Sequence, residues 1–305
     1  MKRLLLALAF LALAWPAFAA EPAFEEAMAL YADKQYGAAR EIAEAHANAG
    51  NVKAMVMLGL MYQKGEGVSA DLNQAVDWYS KAAEKNDVGA QFTLAQIYLD
   101  GTLGDPDLKR GRFWLEKAAR RGKPEAQHRM GLLIAADTNE EPDWPAAVEW
   151  FRKAAEQGYS DSEYNLGVLY MEGKGVDRDV TRAGSWFVKA ALKGNPDAAL
   201  DYGVMVFRGD GVRKDEKTGA LWLLVSARRG NPVAQNRVAR LYATGRGVEA
   251  DGAEAMKWHI LATRGGRGDV WLDEFTARLS TAQQKGGEKR ARTFVPEAGP
   301  VGSGE

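Results

Sequence analysis

The chain has 305 residues, 46% of them hydrophobic, with 40 Lys and Arg against 41 Asp and Glu and a net charge of −1. That balance excludes general nucleic-acid binding, which needs a strong basic excess. The complete lack of cysteine excludes thiol catalysis and cysteine-held metals.

Residues 1–19 read as a signal peptide. Lys2 and Arg3 make a basic start, Leu4 to Trp15 an apolar run, and Ala17-Phe18-Ala19 a small-residue cleavage motif with the cut expected after Ala19. An apolar run this short falls below the roughly 20 residues that a membrane-spanning helix needs. No cysteine follows it to carry a lipid. The expected location is the periplasm or the exterior of a bacterial cell.

Residues 20–266 read as a solenoid. Trp78, Trp114, Trp150, Trp186, Trp222 and Trp258 follow one another at intervals of 36 residues. A unit of that length cannot bury its own apolar face, so it must stack on its neighbours. Small residues keep the same phase on both sides of each Trp, as in Ala183 and Ala191 around Trp186. Together they form one helical face that lets a second helix approach. The indoles are expected to fill the space between, so that Trp186→Ala would cost about 3–5 kcal/mol. A second apolar column, Ile97, Leu133, Leu169, Met205 and Leu241, marks another helix.

Turn signals separate the two helices. Asn86, Gly122, Gly158, Gly194, Gly230 and Gly266 stand where a helix end needs a left-handed residue. Pro124, Pro196 and Pro232 suit the first turn of the next helix. A second turn recurs at Gly65–Val68, Gly173–Val176, Gly209–Val212 and Gly245–Val248, and Asp137 and Asn139 take the two glycine places in one unit. Four phased copies without a following Gly-Lys-Ser/Thr mean a turn, not a phosphate loop. Ile42 takes the Trp place in one earlier unit. The predicted fold is therefore all-α: a right-handed α-solenoid (superhelix) of antiparallel helix pairs, with about six and a half 36-residue repeats. Residues 267–295 read as capping helices, with Trp271, Leu272 and Phe275 facing inward and a capping box from Ser280 to Gln283. Residues 296–305 read as a disordered tail.

Leu166-Gly167-x-x-Tyr170, then Gly173-x-Gly175-Val176, then Ala183-x-x-Trp186-x-x-Lys189-Ala190-Ala191 resembles the Sel-1-like repeat family, a branch of the tetratricopeptide-type solenoids. The resemblance covers residues 35 to 266. The unit from Met130 to Ala154 departs from it, with Asp143-Trp144-Pro145 in place of the Gly-x-Gly-Val turn. The resemblance implies an adaptor that holds other proteins in complexes, in exported members often at the envelope or in host contact. An alternative is an enzyme, or a regulator of one, acting on the cell wall. It corresponds to a cysteine-rich branch linked to β-lactam binding or hydrolysis, which this cysteine-free chain matches poorly.

The residues themselves give no catalytic set. His46, His128 and His259 share no metal-ligand spacing. His128 shares its column with Phe92, Tyr164 and Leu200, so a partly buried structural role is expected. No Gly-x-Ser-x-Gly or Ser-x-x-Lys occurs. Glu140, Glu141 and Asp143 mimic a carboxylate pair but read as solvated loop charge. No catalytic, cofactor-binding or metal-binding residue is assigned, and no cofactor is expected.

A partner surface is expected on the first helix of each pair. Its largely polar positions include Glu125, Asp161, Glu172 and Asp197. The resemblance to tetratricopeptide solenoids implies that this face lines a groove. The candidate contacts are Arg129, Asn165, Asp201, Arg208, Asn236, Arg237 and Arg240. Arg240 stands in the mostly apolar column of Gln96, Leu132, Val168 and Val204, and an arginine there suits bidentate capture of a carboxylate. From Met205 to Arg267 the chain carries 12 Lys and Arg against 6 Asp and Glu. The expected partner is a protein or peptide, acidic or offering a C-terminal carboxylate, with no nucleic acid and no membrane span after cleavage.

Overall fold

The computed structural model describes residues 23–136 and 142–298. The expected signal peptide, Asp137, Asn139, Glu140 and Glu141 lie outside the described residues. Among those described there are 16 helices and no strand, and no helix is long and apolar enough to cross a membrane.

The chain divides into two compact units, one up to Ala90 and one from Gln91. The first holds α1 (Phe24–Ala32), α2 (Tyr36–Asn48), α3 (Val52–Lys64), α4 (Leu72–Glu84) and the opening turn of α5 (Val88–Leu99). The second holds the rest of α5, then α6 (Leu108–Arg120), α7 (Pro124–Ala135), α8 (Trp144–Glu156), α9 (Ser160–Glu172) and α10 (Val180–Leu192). It continues with α11 (Pro196–Arg208), α12 (Glu216–Arg228), α13 (Pro232–Thr244), α14 (Gly252–Arg264), α15 (Val270–Ala277) and α16 (Thr281–Arg292). In the first unit α1 to α4 pack in succession, and in the second α6 to α14 do so, with α14 also packed on α15 and α16. The fold is an all-α solenoid of helix pairs.

Helix starts follow a column that the Trp register carries without drawing attention. Asp71, Asp107, Asp143, Asp179, Asp215 and Asp251 cap α4, α6, α8, α10, α12 and α14. Each side chain accepts backbone N–H groups that the helix leaves unpaired. Asp143 takes the Ala146 N–H at 3.0 Å. It is thus a helix cap, not half of a carboxylate pair. Asn51, Asn195 and Asn231 cap α3, α11 and α13 in the same way. Ser280 and Gln283 form the capping box of α16.

The Gly-x-Gly turns meet two demands. Gly173 closes α9 in the left-handed region at φ 72°. Gly175 is also left-handed, at φ 69°, and a Cβ there would run into the backbone of Trp144 and Pro145 at the start of α8. Asn86 holds φ 71° where the other units have glycine, as its short polar side chain permits.

The core corrects the expected role of the tryptophans. Trp78, Trp114, Trp150, Trp186 and Trp222 are only partly buried. Lysines cover exposed ring faces, Lys81 over Trp78 at 3.8 Å and Lys189 over Trp186 at 3.9 Å. Trp258 differs: it is 1% exposed, with Phe294 packed on it edge-on at 5.5 Å. The fully buried column lies one residue later: Tyr79, Leu115, Phe151, Phe187, Leu223 and His259, none more than 5% exposed.

Each member of that column follows a small residue by twenty positions, in Gly59–Tyr79, Ala95–Leu115, Gly131–Phe151, Gly167–Phe187, Gly203–Leu223 and Ala239–His259, and the four glycines among them face their partners directly. A Cβ on Gly59, Gly131 or Gly167 would fall under 3.0 Å from the facing ring. Where alanine replaces glycine, the partner is a leucine or histidine instead of a six-membered ring. The two positions share one volume, as close packing requires.

Two expectations follow. Gly167→Ala should destabilise by about 1–3 kcal/mol through overpacking. Adding Phe187→Leu, which reproduces the Ala95–Leu115 pair, should recover part of that loss in a double-mutant cycle read by chemical denaturation. Phe187→Ala should cost about 3–5 kcal/mol, and Trp186→Ala less, because its void opens to solvent.

Candidate functional site

The first helices α9, α11 and α13 present side chains above the core on one face of the second unit. Two adjoining cavities lie there. One, of about 660 Å3, is bounded by Tyr164, Val168, Met171, Glu172, Phe187, Asp201, Val204 and Arg208, among others. The other, of about 420 Å3, has a floor of Val204, Phe207, Leu223 and Leu241 and a rim of Arg208, Lys214, Arg237, Arg240 and Arg246. Val204 and Arg208 border both, so the two form one groove.

Charge divides the groove. At the α9 end, the Tyr164 hydroxyl donates to Asp201 Oδ2 at 3.2 Å. Burial first, then the nearby Asp197, pushes the Asp201 pKa up, against the Tyr164 bond and the Arg237 charge. Burial, with Asp201 and Asp197, also raises the Tyr164 hydroxyl above its ordinary value. Toward α13 every charged side chain of the rim is cationic. Lys214 and Arg246 share Glu216, at 3.4 and 2.7 Å. Arg240 binds Asp269 through Nε at 2.6 Å and Nη2 at 2.8 Å. Arg208 and Arg237 have no ion pair or hydrogen bond among the described residues. The Arg237 pKa is lowered, first by desolvation and then by the Arg208 charge, with Asp201 opposing.

Of the residues proposed from sequence, Asp201, Arg208, Arg237 and Arg240 meet in this groove. Arg129 lies on α7 and pairs with Asp100. Asn165 is partly buried on α9 and borders neither cavity. Arg240 requires a correction. It does hold a carboxylate bidentately, but that of Asp269, which also accepts from Asn236 Nδ2 at 3.0 Å. Asn236 and Arg240 thus dock the N-terminus of α15 and are not free for a ligand.

Sequence reasoning passed over Phe207, Leu223, Lys214, Arg246 and Asp269. Phe207 had a signal: it shares the column of Leu99, Ala135, Met171 and Ala243. Asp269 had none, since only the packing of α15 reveals its partners.

The histidines are structural. His128 Nδ1 lies 2.9 Å from Ser162 Oγ, and its ring packs against Phe151 and Tyr159. Burial lowers its pKa, opposed by Asp161. Ser162 is fully buried, so this contact is no nucleophile–base pair open to substrate. His259 Nε2 meets Asp273 Oδ1 at 2.7 Å. Among the described residues no cluster of His, Asp or Glu could hold a metal ion.

Asp269 is 9% exposed. Burial alone would raise its pKa, but the bonds from Arg240, Asn236 and the Leu272 N–H outweigh that and hold it at about 2, against an ordinary 3.8. A depressed carboxylate contributes stability that is present above pH 3.8 and fades as pH falls through about 2. Asp269→Asn preserves the cap of α15 and removes the charge. It should cost about 1–2 kcal/mol at neutral pH, after allowance for solvent at the Arg240 end. The difference from the parent should vanish in acid unfolding curves below that window.

The Sel1 repeat pattern matches residues 52–87, 88–123, 124–159, 160–195, 196–231 and 232–266. Each window spans one helix pair, from α3–α4 to α13–α14. A crystal structure of a Sel1 repeat protein from Oxalobacter formigenes is 34% identical, with a TM-score of 0.69 over 80% of this chain and 100% of that one. A protective antigen of uropathogenic Escherichia coli strains, c5321, which displays an SLR fold, is 29% identical with a TM-score of 0.56, over 84% of this chain and 63% of that one. None of the curated proteins matches the chain. The chain belongs to the Sel1 repeat family, whose repeats generally mediate protein–protein interaction.

Proposed function

We propose that this protein is an exported, non-enzymatic scaffold that holds a protein partner in the groove across α9, α11 and α13, within an envelope or cell-wall complex. The observation that carries the reading is the pair Arg208 and Arg237, which have no ion pair among the described residues, at the rim of an apolar floor. Apolar surface with cationic edges favours association with an anionic segment and steers its approach. The buried titratable groups nearby serve the packing: Asp269 docks α15, and His128 fills space between helices. Export is supported by the basic start, the apolar run and the Ala17-Phe18-Ala19 motif.

Two measurements test this. Mass spectrometry of the protein from its native host should find a mature start at Ala20. An intact Met1 would remove export from the proposal. Quantitative affinity capture from envelope extract should return partners that the folded double variant Arg208→Glu with Arg237→Glu loses. These two arginines, not Arg240, are the right pair to reverse, because Arg240 is committed to Asp269. A variant with native circular dichroism and an unchanged partner set would rule the groove out. Capture by the parent should also weaken with salt, since exposed charges are screened over roughly 8 Å at physiological ionic strength.

A further inference from the structure

We propose that the basic cavity between α11 and α13 receives the free C-terminus of a polypeptide ending in an apolar residue. Arg208 and Arg237 hold the terminal carboxylate, and Phe207, Leu223 and Leu241 seat the side chain. The proposal rests on the reading of the groove as a protein-binding surface, and names what enters it.

Three features of the cavity point to this ligand. The first is cationic charge that, among the described residues, no ion pair answers and that Asp201 offsets only from a distance. Of the five rim cations, Lys214 and Arg246 share Glu216, and Arg240 is locked on Asp269. Arg208 and Arg237 remain, close enough for the first to depress the pKa of the second. Two guanidinium groups that border one apolar-floored cavity repel each other, and an anion bound there relieves that repulsion. A carboxylate fits the planar fork that each presents.

The second feature is the floor. Val204, Phe207, Leu223 and Leu241 offer it no hydrogen-bonding side chain. A bare phosphate or sulfate would leave this surface wet. A C-terminal Leu, Val or Phe carries its carboxylate and its apolar side chain on one Cα, so a single residue reaches both rim and floor. An internal Asp or Glu spends its side chain on reaching the arginines and leaves the floor uncovered.

The third feature is size and what bars the far side. The volume, about 420 Å3, lies within the roughly 300–1,000 Å3 of pockets that take small ligands. Toward α9 the same groove becomes mixed in charge, with the carboxylates of Asp201, Glu172 and Asp210 on its border beside Arg178. An extended anionic segment would meet those carboxylates, whereas a chain terminus concentrates its charge at the arginines.

The test uses the mature chain, 15N-labelled, titrated with the peptide acetyl-Asp-Ala-Leu as free acid and as C-terminal amide. Arg208→Gln and Arg237→Gln are titrated in parallel, and inorganic phosphate serves as a bare anion. The free acid should bind at least about tenfold more tightly than the amide, the loss expected when a charge-assisted bond is removed. It should shift the side-chain Nε resonances of Arg208 and Arg237, and either variant should abolish the preference. Equal binding of acid and amide would overturn the C-terminal assignment. If both variants then lost both peptides, the groove would still stand as a binding surface. If neither variant changed anything, the groove reading would fall with it. Phosphate binding as tight as the free acid, or no binding of either peptide, would also overturn the proposal.

Discussion

The close approach of a first helix to the second helix of its own pair governs this structure. It is achieved at one point per repeat, where a ring or branched side chain lies flat on a residue with little or no side chain of its own. Phe187 on Gly167 is the tightest form, followed by Tyr79 on Gly59 and Phe151 on Gly131. In the sequence the Ala95–Leu115 pair changes both positions together. The pairing is twenty residues apart in sequence, so it spans the Asp cap of the following helix and, in the four units that have one, the Gly-x-Gly turn. Turn, cap and core are therefore one device. Gly175 lets the turn pass against α8, Asp179 starts α10, and Phe187 then arrives opposite Gly167.

That arrangement leaves the face above the core free to vary. Val204 and Phe207 extend the apolar surface upward from the buried Leu223, and charged residues edge it without disturbing the stack. Solenoids gain recognition surfaces in this way, because repeat interfaces carry stability and the exposed positions of successive repeats add side by side. Here the change from Asp201 and Glu172 at one end to Arg208 and Arg237 at the other gives the groove a direction. A ligand with an anionic end and an apolar neighbour has one favourable orientation in it.

The C-terminal cap shows how an end of the stack is closed with the same chemistry. Asp269 caps α15, accepts both arms of Arg240 and takes the Asn236 amide. A buried carboxylate so surrounded is stabilised in its charged form. Phe294 covers Trp258, which has no following repeat to shield it. Beyond α16 the Glu297 N–H donates to the Arg228 carbonyl at 2.9 Å, so the start of the tail, Pro296 to Ala298, is placed while residues 299–305 lie outside the described residues.

The repeat, the helix pairs, the left-handed turn positions and the Ser280 capping box were legible in the sequence. All depend on local backbone preference or on a period that one chain displays by itself. Asn86 in a glycine position and Asp143 in the cap column belong to that local class too, although the second was read as loop charge. The buried column was not legible. A partly exposed Trp and a fully buried Phe one residue apart look alike in a periodic pattern, and only the opposing glycine distinguishes them. The site divides along the same line. That polar positions on the first helices would line a groove came from the resemblance to tetratricopeptide solenoids, and of those positions Arg129 and Asn165 border neither cavity. That Arg240 is already satisfied, while Arg208 and Arg237 are not, depended on where α15 sets Asp269. Ion pairs are decided by distance in space, and the 29 residues between Arg240 and Asp269 are bridged only by the tertiary structure.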